Sequence, residues 1–117
     1  MTVTINEFSI PVPFTFSWYA DRVTPGSGGG NYKFQTNAVI NISIPGNEIE
    51  SIRGLESALY VDDPEYFIIA STEPFYLYGK AYKTTYSFYN AKIKRITCSS
   101  ESFDVEMVSS TVQREIE

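Results

Sequence analysis

Hydrophobic residues alternate with polar ones along several short stretches of the chain, which is the pattern of strands with one buried face. The longest alternation places apolar residues at even positions from Tyr32 to Ile44, with mostly polar residues between them. The pair Pro45-Gly46 then predicts a turn. A shorter alternation of the same kind covers residues 14–18. Both stretches therefore predict strands that turn one face toward a core.

The N-terminal alternation changes phase after a few residues. Val3 and Ile5 are two positions apart, and Phe8 and Ile10 resume the pattern one step out of phase. A bulge or break near Asn6-Glu7 is the simplest explanation.

Further strands are predicted in the second half of the chain. Residues 75–89 are rich in aromatic side chains, at even and odd positions alike for part of the stretch, and we expect one strand with two apolar faces. Asn90-Ala91 is a candidate turn after it. The remaining predicted strands are 66–71, 93–98 and 103–107, and residues 109–117 are expected to be a terminal strand or an arm.

One short helix is predicted at about residues 47–60. Asn47 is a suitable N-cap, and Glu50 three residues later would complete a capping box. Apolar side chains follow at helical spacing: Ile49, Ile52, Leu55 and Leu59. A pair of short strands turning at Arg53-Gly54 is the competing interpretation.

Residues 21–31 contain four of the seven glycines and no large apolar anchor beyond Val23, so we expect a long flexible surface loop. The glycines lack the spacing of a phosphate-binding loop and no Lys-Ser or Lys-Thr follows them. Because long loops often become ordered against a partner, Gly28, Gly29 and Gly30 are candidate assembly residues.

The sequence as a whole predicts a single mainly-β domain over residues 1–117. Aromatic residues make up 15% of the chain, which suits a pleated, half-buried surface. We expect an antiparallel β-sandwich or barrel with the one helix and the glycine-rich loop already described.

The residue inventory excludes most enzyme classes. The chain has no histidine, which removes the usual general base and the commonest metal ligand, and its one cysteine has no partner within the chain. Cys98 is expected to lie buried or half-buried on a strand. We therefore predict no catalytic, cofactor or metal site, although a hydrolase that uses two carboxylates needs only a suitable separation, which sequence does not give.

Charge is unevenly distributed along the acidic chain, whose net charge is −5. An acidic protein is poorly suited to non-specific nucleic-acid binding, which requires cationic side chains. Between Pro74 and Ser100, however, there are five cations and no carboxylate: Lys80, Lys83, Lys92, Lys94 and Arg95. This segment predicts either a docking surface or solvated lysines that protect a strand edge.

A row of tyrosines at even positions lies in the same basic segment: Tyr76, Tyr78, Tyr82 and Tyr86. Three interpretations stay open, namely core packing, a protein interface, and a stacking platform for sugar or single-stranded nucleic acid. With Lys80 and Lys83, this row forms the candidate interface.

No secretory signal begins at Met1, and no apolar stretch approaches the length of a membrane span, so we expect synthesis in the cytoplasm. This start, the glycine-rich loop 24–30, the strands 32–44 and 75–89, and the short helix after Asn47 together resemble small structural proteins of tailed-bacteriophage virions, such as head–tail connector, tail-tube-like and decoration subunits.

The resemblance implies a non-enzymatic virion subunit with a β-sandwich or barrel fold, whose loops and terminal arms become ordered when copies assemble. The hypothesis from sequence is accordingly a structural protein that forms homo-oligomers or joins neighbouring structural proteins through its aromatic strand face. The alternative is a carbohydrate-binding module in which Trp18 and several tyrosines stack on sugar rings.

Overall fold

The alternating stretches form the strands of one large antiparallel sheet in the computed structural model, which describes residues 1–24, 32–60 and 65–117. One helix and a small two-stranded sheet complete the described structure. The elements are β1 (Thr2–Ile5), β2 (Phe8–Ser9), β3 (Thr15–Thr24), β4 (Tyr32–Pro45), α1 (Ile49–Leu59), β5 (Tyr66–Ser71), β6 (Phe75–Leu77), β7 (Lys80–Tyr82), β8 (Thr84–Cys98) and β9 (Ser102–Ile116).

The large sheet has the strand order β2-β1-β5-β8-β9-β4-β3. Its centre is built from three long strands, since β9 pairs with β8 on one side and with β4 on the other along almost its whole length. Within the described residues, β2 and β3 remain at the two edges, so the sheet does not close into a barrel. The predicted antiparallel, mainly-β fold class is confirmed.

The core covers one face of this sheet. In β4 the side chains of Ala38, Ile40, Ile42 and Ile44 are buried, as the even-position alternation predicted. Other strands of the same sheet also contribute buried apolar residues to this core, including Ile68, Phe88, Val105 and Met107. Because the residues between these positions point the other way, they form the opposite face of the sheet, where they are exposed or half-buried.

The sheet is strongly curved, and irregular residues within the long strands mark where it bends. In β8, Phe88 and Ala91 are both buried although they are three residues apart, and Asn90 between them has φ 54°. The β5–β8 and β4–β9 ladders both shift register at such places, as β-bulges do. Asn90-Ala91 therefore lies inside β8, and the predicted turn there is wrong.

Helix α1 lies where the apolar spacing predicted it, and the competing pair of strands turning at Arg53-Gly54 is not formed. Leu55 and Leu59 are buried in the core. The predicted capping box is wrong, because the helix begins after Glu48 without a side-chain cap. At its end, the buried Tyr66 hydroxyl donates a hydrogen bond to the Leu59 carbonyl, which fixes the helix to β5.

Four other predictions from sequence can be compared with the structure. The predicted loop begins too early, since residues 21–24 continue β3, and residues 25–31 lie outside the described residues. The predicted break at Asn6-Glu7 is confirmed as the turn between β1 and β2. Residues 109–116 belong to β9, and Cys98, the last residue of β8, is exposed, contrary to expectation.

Candidate protein-interaction site

Residues 75–82 form a separate β-hairpin, which we call the aromatic hairpin. Strands β6 and β7 pair antiparallel around Tyr78 and Gly79, which have φ 51° and 76°. Two central residues with positive φ are typical of the type I′ turn, whose twist matches the strands on either side. The stretch 75–89 is thus not one strand, as predicted, but this hairpin followed by β8.

The aromatic hairpin exposes a continuous apolar surface. The exposed fractions are 46% for Phe75, 77% for Tyr76, 48% for Leu77 and 93% for Tyr78. Consecutive side chains of a strand point to opposite sides, so both faces and the tip of the hairpin are apolar and exposed. Scattered apolar residues are ordinary on a protein surface, whereas four consecutive ones make this hairpin a candidate interaction site.

The base of the hairpin is held at one end of the large sheet, next to both chain ends. The Thr72 amide donates to the Thr84 carbonyl at 2.9 Å, and Lys83 and Glu117 exchange two backbone hydrogen bonds of 2.7 and 3.0 Å. The Met1 amino group donates to Glu73 at 2.5 Å. These hydrogen bonds fix the base of the hairpin to the end of the large sheet and to both chain ends.

The Met1 contact also changes the acidity of Glu73. The hydrogen bond and positive charge of the amino group, together with the more distant charge of Lys83, lower the pKa of this carboxyl below its ordinary value near 4.5. Glu73 is therefore an anion at neutral pH, close to the base of the hairpin.

The structure separates the tyrosines that the sequence pattern grouped together. Tyr76 and Tyr78 are on the hairpin, and the Tyr82 ring stacks on Phe75 with centroids 5.6 Å apart. Tyr86 is in β8, half-buried against Trp18 with centroids 5.2 Å apart. Tyr86 thus packs against the core, which is one of the three interpretations that the sequence left open, and its role in an interface stays a prediction.

The remaining predicted interface residues have different outcomes. Lys80 is exposed next to the apolar tip and Lys83 is exposed at the base of the hairpin, and among the described residues neither lies within 4.0 Å of a carboxylate oxygen. By contrast, three other cations of the basic segment pair with acids of the same chain: Lys92 with Glu65, and Lys94 and Arg95 with Glu106. Gly28, Gly29 and Gly30 lie outside the described residues.

Phe75 and Leu77 are exposed hairpin residues that the sequence analysis did not single out. Their odd positions were assigned to one face of a long strand. The available signal was Gly79, a residue that favours positive φ, in the middle of an apolar run. A turn at that point divides the run into a hairpin.

An open groove lies on the sheet face opposite the core. It has a volume of about 440 Å³ and is lined by Asn6, Glu65, Tyr66, Phe67, Tyr89 and Asn90. The rings of Phe67 and Tyr89 form one wall, with centroids 5.0 Å apart. A second groove of about 320 Å³ shares Glu65 and Asn90 with the first, and we call the two together the outer groove.

A third depression, of about 350 Å³, brings Asp104 and Glu106 together with Arg95 and small polar side chains. Arg95 donates to Glu106 at 3.3 Å, and the Ser102 hydroxyl donates to Asp104 at 2.9 Å. Both carboxylates therefore have partners within the chain, and they stand on an open sheet surface. This arrangement gives the carboxylate hydrolase hypothesis no specific support.

Two other kinds of feature are absent from the described residues. Among residues 1–24, 32–60 and 65–117, no three His, Cys, Asp or Glu side chains are grouped closely enough to hold a metal ion. In the same part of the chain, no helix has the length and apolarity needed to span a membrane. No protein-family model, curated protein or solved structure matches the chain.

Proposed function

We propose that the protein is a non-enzymatic structural subunit that assembles with copies of itself or with neighbouring proteins through the aromatic hairpin. The observation that carries this proposal is the exposure of four consecutive apolar residues, 75–78, on a hairpin braced by the main sheet. Tyrosine and phenylalanine are among the residues enriched in protein interfaces.

The size of the hairpin surface sets the expected strength of one contact. An aromatic side chain buries roughly 150–250 Å², so the exposed part of residues 75–78 would supply roughly 500 Å². This is less than the ~800 Å² that each partner contributes to a standard stable interface. A single hairpin contact is therefore expected to be weak, and assembly would depend on repeated contacts.

A component of a tailed-phage virion is the kind of assembly that the sequence resemblance implies, and we retain it as part of the proposal. Weak contacts repeated around a ring or shell suit such a particle, since every subunit then takes part in more than one contact. In that case the protein is made in the cytoplasm and resides in the virion.

The test is to measure mass in solution as a function of concentration, with and without the proteins encoded by neighbouring genes. The double variant Tyr76→Ser/Tyr78→Ser is expected to lose association. Tyr60→Ser is the matched control, because Tyr60 is also an exposed tyrosine, at 59%, but lies at the end of α1. A wild-type chain that stays monomeric alone and with its neighbours would contradict the proposal.

The carbohydrate-binding alternative retains Tyr76 and Tyr78, whose rings are free to stack on a sugar. It loses Trp18, which packs against Tyr86 on the core side of the sheet. A glycan array separates the two functions, since sugar binding that disappears in Tyr76→Ser/Tyr78→Ser would support the alternative.

A further inference from the structure

We infer that two copies of the chain pair through the free edge of β3, antiparallel and around a two-fold axis, so that their large sheets become one continuous sheet. The contact uses residues 15–21 and does not involve the aromatic hairpin. The inference therefore goes beyond the proposed function, to which it adds a second surface and a specific partner.

Strand β3 has one unpaired side. It pairs with β4 in a regular ladder from Thr15 to Asp21, and a shift of register follows. No other described strand or helix lies along its other side. Every second residue of such a strand turns its backbone N–H and C=O groups away from the sheet, where they are free to bind another strand.

The two edges of the sheet differ in their protection against such pairing. Short strands, prolines and lysines are common devices that prevent association of sheet edges. The edge strand β2 has two residues, and Pro11 and Pro13 follow it. By contrast, β3 has ten residues, and residues 15–21 contain no proline, lysine or arginine. The edge formed by β3 is therefore open to a partner strand.

The sequence of β3 is complementary to itself when two copies run antiparallel with Trp18 at the centre. Large side chains then face small ones, and the central residue faces its own equivalent: Tyr19 opposite Ser17, Phe16 opposite Ala20, Asp21 opposite Thr15, and Trp18 opposite Trp18 of the second copy. Such pairs avoid steric conflict, and aromatic pairs across strands are favourable. This self-complementarity identifies a second copy of the chain as the partner.

Charge does not oppose the pairing, although each chain has a net charge of −5. Asp21 is the one charged residue between positions 15 and 21. Because it faces Thr15 of the second copy, the two Asp21 carboxylates stand at opposite ends of the paired segment, roughly 20 Å apart. This separation exceeds the Debye length of about 8 Å at physiological salt, so their repulsion is screened.

Core residues of β3 are incompletely covered in the single chain. Phe16 and Trp18 contact Phe88 with ring centroids 6.2 and 5.1 Å apart, yet both are only half-buried. A strand added along the free edge lies next to both rings on the core side of the sheet. It also forms roughly six to eight backbone hydrogen bonds along residues 15–21. The pairing thus binds free backbone groups and covers the exposed part of these aromatic rings.

The contact is isologous, because the same strand meets itself, and it therefore stops at two chains. A dimer of this kind presents two aromatic hairpins. The weak contact expected of one hairpin then becomes bivalent, which strengthens binding to a partner that offers two sites.

The experiment places like charges opposite each other at the edge. Ser17 and Tyr19 are exposed and face each other in the dimer, so Ser17→Lys/Tyr19→Lys sets lysine against lysine and Ser17→Glu/Tyr19→Glu sets carboxylate against carboxylate. In analytical ultracentrifugation from about 1 μM to about 1 mM, wild type is expected to dimerise and either variant alone to associate at least about tenfold more weakly. An equimolar mixture of the two variants should form heterodimers, because unlike charges then face each other.

Gln35→Lys/Asn37→Lys is the matched control. It adds the same charge as the lysine variant at two exposed positions of β4, away from the free edge, and should dimerise as wild type. Circular dichroism checks that all variants fold. Equal association of wild type and both charged edge variants would overturn the inference.

Cross-linking tests the register without a change of charge. Cys98 is exposed and is first replaced by serine. In a mixture of chains carrying Ser17→Cys or Tyr19→Cys, the disulfide between residues 17 and 19 should be the main product, because these residues are directly opposite and two copies of the same residue are offset diagonally. A mixture in which this disulfide is a minor product would contradict the pairing centred on Trp18.

The hairpin variant Tyr76→Ser/Tyr78→Ser distinguishes this inference from the proposed function. It should remain a dimer, and the association that it loses is growth beyond the dimer and binding to neighbouring proteins. A dimer that is lost in the hairpin variant and kept in the edge variants would refute the inference and support the proposed function. A wild-type chain that is monomeric throughout the concentration range also refutes the inference, whereas the proposed function stands if that chain binds neighbouring proteins through the hairpin.

Discussion

The rings of Trp18 and Phe88 lie edge to face with their centroids 5.1 Å apart, although two strands separate β3 from β8 in the sheet. In a flat sheet these strands would be about 14 Å apart. The sheet therefore coils until its edge strand turns back over the centre, and this aromatic contact closes the core on that side.

Trp18→Ala is expected to lower the free energy of unfolding by about 2–3 kcal/mol, because it opens a gap beside Phe88 where the coiled sheet closes. Urea denaturation followed by circular dichroism measures the change. Tyr19→Ala is the matched control, since the next residue of β3 points to the opposite face and is 59% exposed. Its cost should stay below about 1 kcal/mol, and equal losses for the two variants would contradict the coiled arrangement.

Tyr66→Phe tests the attachment of α1 to the sheet. Removal of the hydroxyl deprives the Leu59 carbonyl of its buried donor, which is expected to cost about 1–2 kcal/mol. Amide hydrogen exchange should show the loss most clearly in the last turn of α1.

Tyr89→Phe makes the same chemical change on the outer face of the sheet, where the hydroxyl donates to Gln113 in a partly buried position. We expect a smaller loss of stability there, below about 1 kcal/mol.

If Tyr66→Phe leaves amide exchange in α1 unchanged, the helix is held by the packing of Leu55 and Leu59 alone.

The sequence was sufficient for the parts of the fold that depend on local periodicity. The alternation from Ala38 to Ile44 predicted the buried face of β4, and the spacing of Leu55 and Leu59 predicted α1. Both patterns reflect which side of an element meets the core, and this is encoded in the order of apolar and polar residues.

The candidate site depended on information that periodicity does not contain. Tyr78 and Tyr86 have the same parity along the chain, but the turn at Tyr78-Gly79 places one at an exposed tip and leaves the other against Trp18. The outer groove depends on the cross-strand pairing of β5 with β8 and on the bulge at Asn90, both of which are set by long-range contacts. Neither could be deduced from one sequence.

Gly46→Ala is expected to destabilise the fold by about 1–3 kcal/mol. A Cβ atom at this position would stand 2.5 Å from the backbone oxygen of Ser100, and the Gly46 amide also donates to Glu101 at 2.9 Å. The turn after β4 and the β8–β9 turn would have to separate. Thermal unfolding measures the loss.

Gly79→Ala is the comparison for Gly46→Ala, because no atom lies within 4 Å of its added Cβ. Its φ of 76° strains an alanine by about 1 kcal/mol. That strain should remain local to the two-stranded hairpin and leave the main unfolding transition almost unchanged. A larger effect on that transition from Gly79→Ala than from Gly46→Ala would contradict this assignment.

The Met1–Glu73 contact predicts a specific pH dependence at the base of the aromatic hairpin. Because the amino group and then Lys83 favour the carboxylate, the pKa of Glu73 in the folded chain lies below its value in the unfolded chain. The contribution of this pair to stability is therefore complete above the ordinary value near 4.5 and is lost as pH falls through the lower, folded-state pKa. NMR of the Glu73 side-chain carboxyl should show a titration midpoint below the ordinary value. Acetylation of the Met1 amino group removes its positive charge, so the midpoint should rise toward the ordinary value and keep only the smaller effect of Lys83. A midpoint that acetylation does not move would show that Glu73 has no contact with Met1 in solution.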